Sequence, residues 1–195
     1  MWIKQKAPQP GQQRGFKPDG SNLPWVVWDL EQHHPDRLAE WIRHVATALP
    51  DIESIRTVLR GDDNHRYLMV GYRGGLEVPS WMVSDGTLRL LALTLLAYLP
   101  EFTGIYLIEE PENGIHPRAI ETVVQSLSSL YAGQVLLATH SAIALNMVEP
   151  RDVLCFAKDA SGATDIVSGD EHPALRDWKR GEPDLGVLFA SGILS

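Results

Sequence analysis

The sequence predicts an α/β fold in which a mainly parallel sheet is flanked by helices and a small antiparallel β meander precedes it. Three observations carry this. From Ser84 onward, short apolar runs at 105–108, 135–138 and 153–157 alternate with helical segments; non-alternating apolar strands separated by helices argue a parallel sheet covered on both faces. Ahead of them, three β-type runs at 55–59, 66–72 and 76–83 are separated by the turn sequences Gly61-Asp62-Asp63-Asn64 and Gly74-Gly75. A chain of 195 residues that is 44% hydrophobic has enough apolar surface to bury a core in one domain or two small ones.

In chain order, residues 1–24 are rich in Gln, Gly, Pro and Lys and predict an irregular lead-in. Leu38, Trp41, Ile42, Val45 and Leu49 have the spacing of an amphipathic helix over 36–49, closed by Pro50. The meander then completes a segment spanning 25–83. Ser84 and Asp85 stand before a Leu-rich run reaching Tyr98, as N-cap residues do. Pro117 suits the first turn of a helix over 117–130, and 141–147 predicts a shorter one. Past the strand at 153–157, the last 25 residues predict a short helix at 175–178 and an irregular tail.

Composition excludes several classes. A net charge of −8 argues against a whole-molecule nucleic-acid binder; DNA would need a local basic patch or another subunit. Lys4, Lys6, Arg14 and Lys17 in the lead-in form a weak candidate, against a plain reading as a solvated arm. One cysteine, Cys155 in an apolar stretch, permits no disulfide within the chain and fits a buried thiol in a reducing cytoplasm. No apolar signal core opens the sequence. The greasiest run, 90–99, is about half the ~20 residues a bilayer span needs, so it reads as a core helix, with no membrane partner. Trp25, Trp28, Trp41 and Trp81 read as core packing.

The chemistry concentrates at strand ends, where open α/β sheets bind ligands. Glu109 and Glu110 follow the apolar strand and precede Pro111-Glu112-Asn113-Gly114-Ile115-His116-Pro117. Paired carboxylates there either point to solvent or serve a nucleotide–metal site, one for Mg²⁺ and one to orient water. His140, in Thr139-His140-Ser141, ends the next strand and reads as a hydrogen-bonded core residue or a catalytic one. Ser84 and Gly86 open the Leu-rich helix, either as an ordinary cap or as a phosphate site built from free N–H groups and the helix dipole.

Taken together, MVSDGTLRLLALTLLAYL, IYLIEEPENGIHP and VLLATHS resemble the ATPase heads of the SMC/RecF/OLD-like ABC class, also filed as AAA-type core ATPases. In that class these stretches are the signature motif, the Walker B strand with its D-loop, and the switch-histidine loop. The resemblance covers 83–141 closely and extends more loosely to the ending LGVLFASGIL. It implies a P-loop NTPase (ABC-ATPase) half, with 84–195 as the C-terminal ATPase core, and ATP and Mg²⁺ as cofactors. It implies that Ser84 and Gly86 touch the γ-phosphate of ATP held on a second ATPase head. Glu109 would stand at the metal, Glu110 would orient the attacking water, and Asn113 and His116 would lie in the D-loop at the dimer interface. His140 would contact the γ-phosphate. Two positions depart from the wider class: Glu109 stands where Asp is usual, and Ser84-Asp85-Gly86 replaces Ser-Gly-Gly.

The phosphate-binding loop G-x-x-x-x-G-K-[ST] is absent: none of Lys4, Lys6, Lys17, Lys158 and Lys179 follows a glycine or precedes Ser or Thr. The sequence therefore reads as an ATPase component that needs a Walker A from elsewhere and is inactive alone. A truncated product, a split half and a degenerate head are the alternatives. The resemblance points to DNA repair, chromosome maintenance or anti-phage defence. A non-catalytic interaction module is the second reading. A metal nuclease on Glu109, Glu110, Glu112 and His116 is a third. A serine hydrolase is disfavoured because neither Ser84 nor Ser141 sits in G-x-S-x-G.

Overall fold

Helix begins earlier than the sequence predicts. The computed structural model describes residues 15–100, 103–130, 132–173, 175 and 185–192; the lead-in before 15 and most of the short helix expected at 175–178 lie outside them. Within the described part, α1 (Leu23–His33) starts at the end of the expected lead-in, with Pro24 in its first turn, and buries Leu23, Val27 and Leu30 at helical spacing. His34 breaks the run, and α2 (Pro35–Ala48) buries Trp41 and Val45. The meander follows as expected: β1 (Ile52–Leu59), β2 (Arg66–Tyr72) and β3 (Leu76–Pro79) pair antiparallel in the order β1-β2-β3. A 3-10 turn, Ser80–Met82, then leads to the central helix.

That helix, α3 (Asp85–Leu95), is apolar on nearly every side because it lies between two cores. Leu88, Leu91, Ala92 and Leu95 pack with α1, α2 and the meander. Leu90 and Leu93 face the other way, against Ile108, Ile115, Ala119, Val123 and Leu127. One buried polar group ties three helices at this junction. Thr94 Oγ1 accepts from Trp41 Nε1 at 2.9 Å and donates to the Leu90 carbonyl at 2.7 Å, while the Thr94 carbonyl accepts from Ser126 Oγ at 2.8 Å.

β4 (Gly104–Glu109), α4 (Pro117–Ser128) and β5 (Gly133–Ala138) form a β-α-β unit with β4 and β5 parallel, Glu109 standing opposite Ala138. Two expectations are corrected here. Among the described residues the parallel sheet has two strands, and only one of its faces is covered. Tyr106, Ile108, Val135 and Leu137 turn to the α3–α4 core, whereas Ile105, Leu107 and Leu136 on the opposite face are 65%, 76% and 43% exposed. The apolar runs are continuous because both faces are apolar, and that pattern carries no information about what covers the second.

The chain divides into two compact units, the second starting at Thr139. Within it, α5 (Ala142–Leu145) is followed by β6 (Leu154–Lys158) and β7 (Thr164–Ser168). The strand expected at 153–157 is therefore present, but it pairs antiparallel with β7 rather than joining the parallel sheet. The turn between them is closed by Asp159, whose Oδ1 accepts the N–H groups of Ser161 and Ala163 at 2.8 and 2.9 Å. This Asx-type turn sends the chain straight back before a crossover helix can form. The ending, expected to be irregular, carries α6 (Leu185–Ala190), where Leu185 and Leu188 pack with Leu175 and Leu145.

The tryptophans divide. Trp41 is fully buried. Trp25 and Trp28 are half-buried and hold the Arg66 guanidinium over their rings at 5.0 and 4.8 Å. Trp81 is not a core residue: in the 3-10 turn it is 53% exposed and rests on Tyr67, ring centroids 4.8 Å apart. Cys155 is buried, and burial raises its pKa, which keeps it a thiol. No helix among the described residues is long and apolar enough to cross a membrane.

Candidate functional site

The loop between β4 and α4 is built on an unusual backbone. β4 delivers Glu109 to its last position, and the next residue turns sharply: Glu110 has φ 44°, a left-handed conformation that costs a side-chain-bearing residue energy. Its N–H donates to the Ala138 carbonyl at 2.8 Å, which fixes the turn to the end of β5. Its carbonyl accepts the Asn113 N–H at 3.1 Å, and the Glu112 carbonyl accepts the Ile115 N–H at 3.1 Å. Gly114 supplies a second positive φ, 77°, where glycine carries little cost. Ile115 is buried in the α3–α4 core and anchors the loop. His116 then caps α4, its Nδ1 accepting the Arg118 N–H at 3.2 Å.

Asn113 links the Glu110 carboxylate to α3. The Asn113 side-chain amide donates to Glu110 Oε2, while the Asn113 main-chain carbonyl accepts from Arg89 on α3. The same helix approaches the loop through Gly86. A Cβ at position 86 would lie 2.1 Å from the Gly114 carbonyl oxygen, so only glycine fits. One residue pair earlier, Ser84 caps α3: Oγ accepts the Thr87 N–H at 3.1 Å and lies 2.9 Å from Thr87 Oγ1. Asp85 is exposed in the first turn, where the helix dipole favours an acidic side chain.

Of the sequence-predicted set, Glu110 and Asn113 are in direct contact and Gly86 packs on the same loop at Gly114, with Ser84 two residues before Gly86 and His116 closing the loop. Glu109 is exposed at the strand end, on the same face of the sheet as Ile105 and Leu107. His140 belongs to the second unit, where its ring lies 5.8 Å from that of Phe189 on α6. Also there, Gly186 lies flush on Ala142, and its N–H donates to Asn146 Oδ1 at 2.8 Å. Arg89 is not among the residues that the sequence predicts for the site. Its signal was present: it is the only cation in α3, three residues after Gly86 and so on the same side.

Among the described residues no three His, Cys, Asp or Glu side chains gather as a metal-holding group. Glu109, Glu110, Glu112 and His116 therefore do not form the all-protein cluster that the nuclease reading requires. A lone exposed strand-end carboxylate fits Mg²⁺ better, since that ion is commonly held by one or two carboxylates together with phosphate oxygens and water.

Comparison with known proteins gives the family and the fold. Residues 18–146 match the family described as "AAA domain, putative AbiEii toxin, Type IV TA system". The chain belongs to this AAA family. A curated relative, the Old nuclease of Escherichia phage P2, is 33% identical over 89 residues, which cover 40% of this chain and 15% of that protein. The AAA chain thus spans a small part of that relative's length.

Solved structures show the fold. A structure from work on ATP-driven dimerisation and DNA-stimulated activation of SMC ATPases superposes with a TM-score of 0.57 at 12% identity, over 87% of this chain and 98% of that one. An Smc head bound to the C-terminal winged-helix domain of ScpA gives 0.55 at 15% identity, over 70% and 43%. The Smc head with coiled coil and joint from Pyrococcus yayanosii gives 0.53 at 12% identity, over 90% and 34%. The AAA chain therefore has the fold of SMC ATPase heads, a P-loop NTPase fold.

Proposed function

We propose that this chain is the signature and Walker B part of an ATPase head that closes on a second head around ATP. The observation that carries this is the Glu110 carboxylate: at the C-terminal end of a parallel strand, on a left-handed backbone, held by Asn113, in a loop packed on the first turn of α3. Phosphoryl transfer is catalysed chiefly by positioning and charge neutralisation, and a fixed carboxylate beside a helix N-terminus supplies both kinds of contact. Glu110 orients the attacking water. Ser84 and Gly86 present the α3 N-terminus to phosphate on the facing head. Asn113 and His116 lie at the head–head interface, and His140 reaches the γ-phosphate. Glu109 would hold Mg²⁺, which neutralises phosphate charge when bound.

The Walker A comes from outside these 195 residues. The exposed apolar face of Ile105, Leu107 and Leu136 supports this, because parallel sheets are ordinarily covered on both sides and a P-loop lobe packed there would complete one. The cellular role is DNA repair, chromosome maintenance or phage defence in a reducing cytoplasm, with DNA reached through the complex.

The same exposed face favours a second reading, a docking module without turnover. Calorimetry with Mg–ATP on the chain alone is the first test; absence of binding is expected, and clear binding with hydrolysis overturns the need for a separate Walker A. In the complete head, Glu110→Gln is expected to bind ATP and hydrolyse it poorly. Normal turnover in that variant sinks the ATPase assignment.

A further inference from the structure

We infer that Arg89 is a positioning residue that sets the Glu110 carboxylate from the α3 helix. This rests on the reading of Glu110 given above. The contacts form a chain of three residues. The Arg89 guanidinium donates to the Asn113 carbonyl, the Asn113 side-chain amide donates to Glu110 Oε2, and the Asn113 N–H returns to the Glu110 carbonyl at 3.1 Å. Asn113 is thus held on the helix side and holds the carboxylate on the other.

Two features give the clamp something to do. Glu110 sits at φ 44° and Gly114 at φ 77°, and a strained loop keeps one shape only where its surroundings over-determine it. Gly86 lets α3 come within contact of Gly114, and Arg89, one turn further along the same side, fastens the helix to the adjacent peptide. The α3 terminus and the carboxylate therefore move as one body. Under the proposed function, these two groups act on different nucleotides of a head pair, so Arg89 links one site to the other within each head.

Magnitudes separate this role from a merely structural one. The Arg89 and Asn113 contacts are exposed, and exposed polar contacts contribute little to global stability. Loss of a supporting hydrogen-bond partner nonetheless lowers activity at a positioned group by about tenfold or more.

The test uses the 195-residue chain with Arg89→Gln and Arg89→Lys. In Arg89→Gln, exchange of the Asn113 and Ile115 amide protons is expected to rise about tenfold while the urea midpoint stays put, since local opening is separable from global unfolding. The Asn113 side-chain amide resonance should shift as it does in Glu110→Gln, and Arg89→Lys should restore both readouts in part. In the ATP-hydrolysing assembly, Arg89→Gln should lower kcat about tenfold with ATP KM unchanged, and should add nothing in a Glu110→Gln background, because residues acting as a unit are not additive. Unchanged exchange and resonance in Arg89→Gln, or a loss additive with Glu110→Gln, overturns the inference. If Glu110→Gln alone leaves turnover intact, it is the functional reading that falls, and the exchange and resonance results still decide the clamp.

Discussion

Gly86 and Gly114 meet so closely that a single added methyl group at position 86 would lie 2.1 Å from the Gly114 carbonyl oxygen. The obstacle is backbone, in a loop already fixed to β5 and to the α3–α4 core, so it cannot step aside as a flexible side chain would. Alanine is the better helix former by about 1 kcal/mol, but overpacking against a fixed group typically costs about 1–3 kcal/mol. Gly86→Ala is expected to be net destabilising in urea unfolding. Gly61, with open space around its Cβ position, is the control, and Gly61→Ala should change stability by no more than about 0.5 kcal/mol.

Thr94 makes a second prediction because its hydroxyl is a relay. Thr94→Val keeps the shape and removes the acceptor for the fully buried Trp41 indole N–H. A buried donor left without a partner costs about 1–3 kcal/mol. The urea midpoint of Thr94→Val should fall accordingly, and Trp41→Phe in that background should cost less than it does alone, because the donor has then been removed as well.

What the sequence made legible follows the same physics. The meander, α3, the β4–α4–β5 unit and the carboxylate loop were readable because local rules and tertiary packing agree there: turn glycines, a capped apolar helix, Pro117 in a first turn. α1 was missed because Leu23, Val27 and Leu30 lie among Trp25, Val26 and Trp28, which hide the helical period. β7 was missed because Thr164–Ser168 is short and mostly exposed, with little apolar pattern to mark it. At the site, the sequence marked Glu110 and Asn113 but not Arg89, whose partner is a main-chain carbonyl. A contact to backbone leaves no complementary side chain in the sequence, so the lone cation of α3, three residues after Gly86, was the whole of the signal.

His44 gives a pH dependence. Its Nδ1 lies 2.8 Å from the Tyr98 hydroxyl, and burial holds its pKa below the ordinary 6.5. Above about pH 6.5 the ring is neutral in both folded and unfolded chains. As pH falls below that, the unfolded chain takes up the proton first, so folding stability drops until the folded-state pKa is passed. Urea midpoints measured from pH 8 to 5 should fall less steeply in His44→Gln than in the wild-type chain. Equal slopes would show that His44 does not titrate differently on folding.

The last prediction compares two neighbours on β4. Ile108 is 6% exposed against α3 and α4, whereas Leu107, on the other face of the same strand, is 76% exposed. Ile108→Ala removes buried methyl groups and leaves a cavity, an effect of about 2–5 kcal/mol. Leu107→Thr removes little packing within the chain and puts a β-branched strand former in its place, so unfolding should shift by no more than about 0.5 kcal/mol. The same substitution, paired with Ile105→Thr, should reduce self-association at high concentration, measured by sedimentation, because it breaks an exposed apolar patch. A large loss of stability in Leu107→Thr would mean that this face is already covered within the chain, and the P-loop lobe proposed to pack there would have to bind elsewhere.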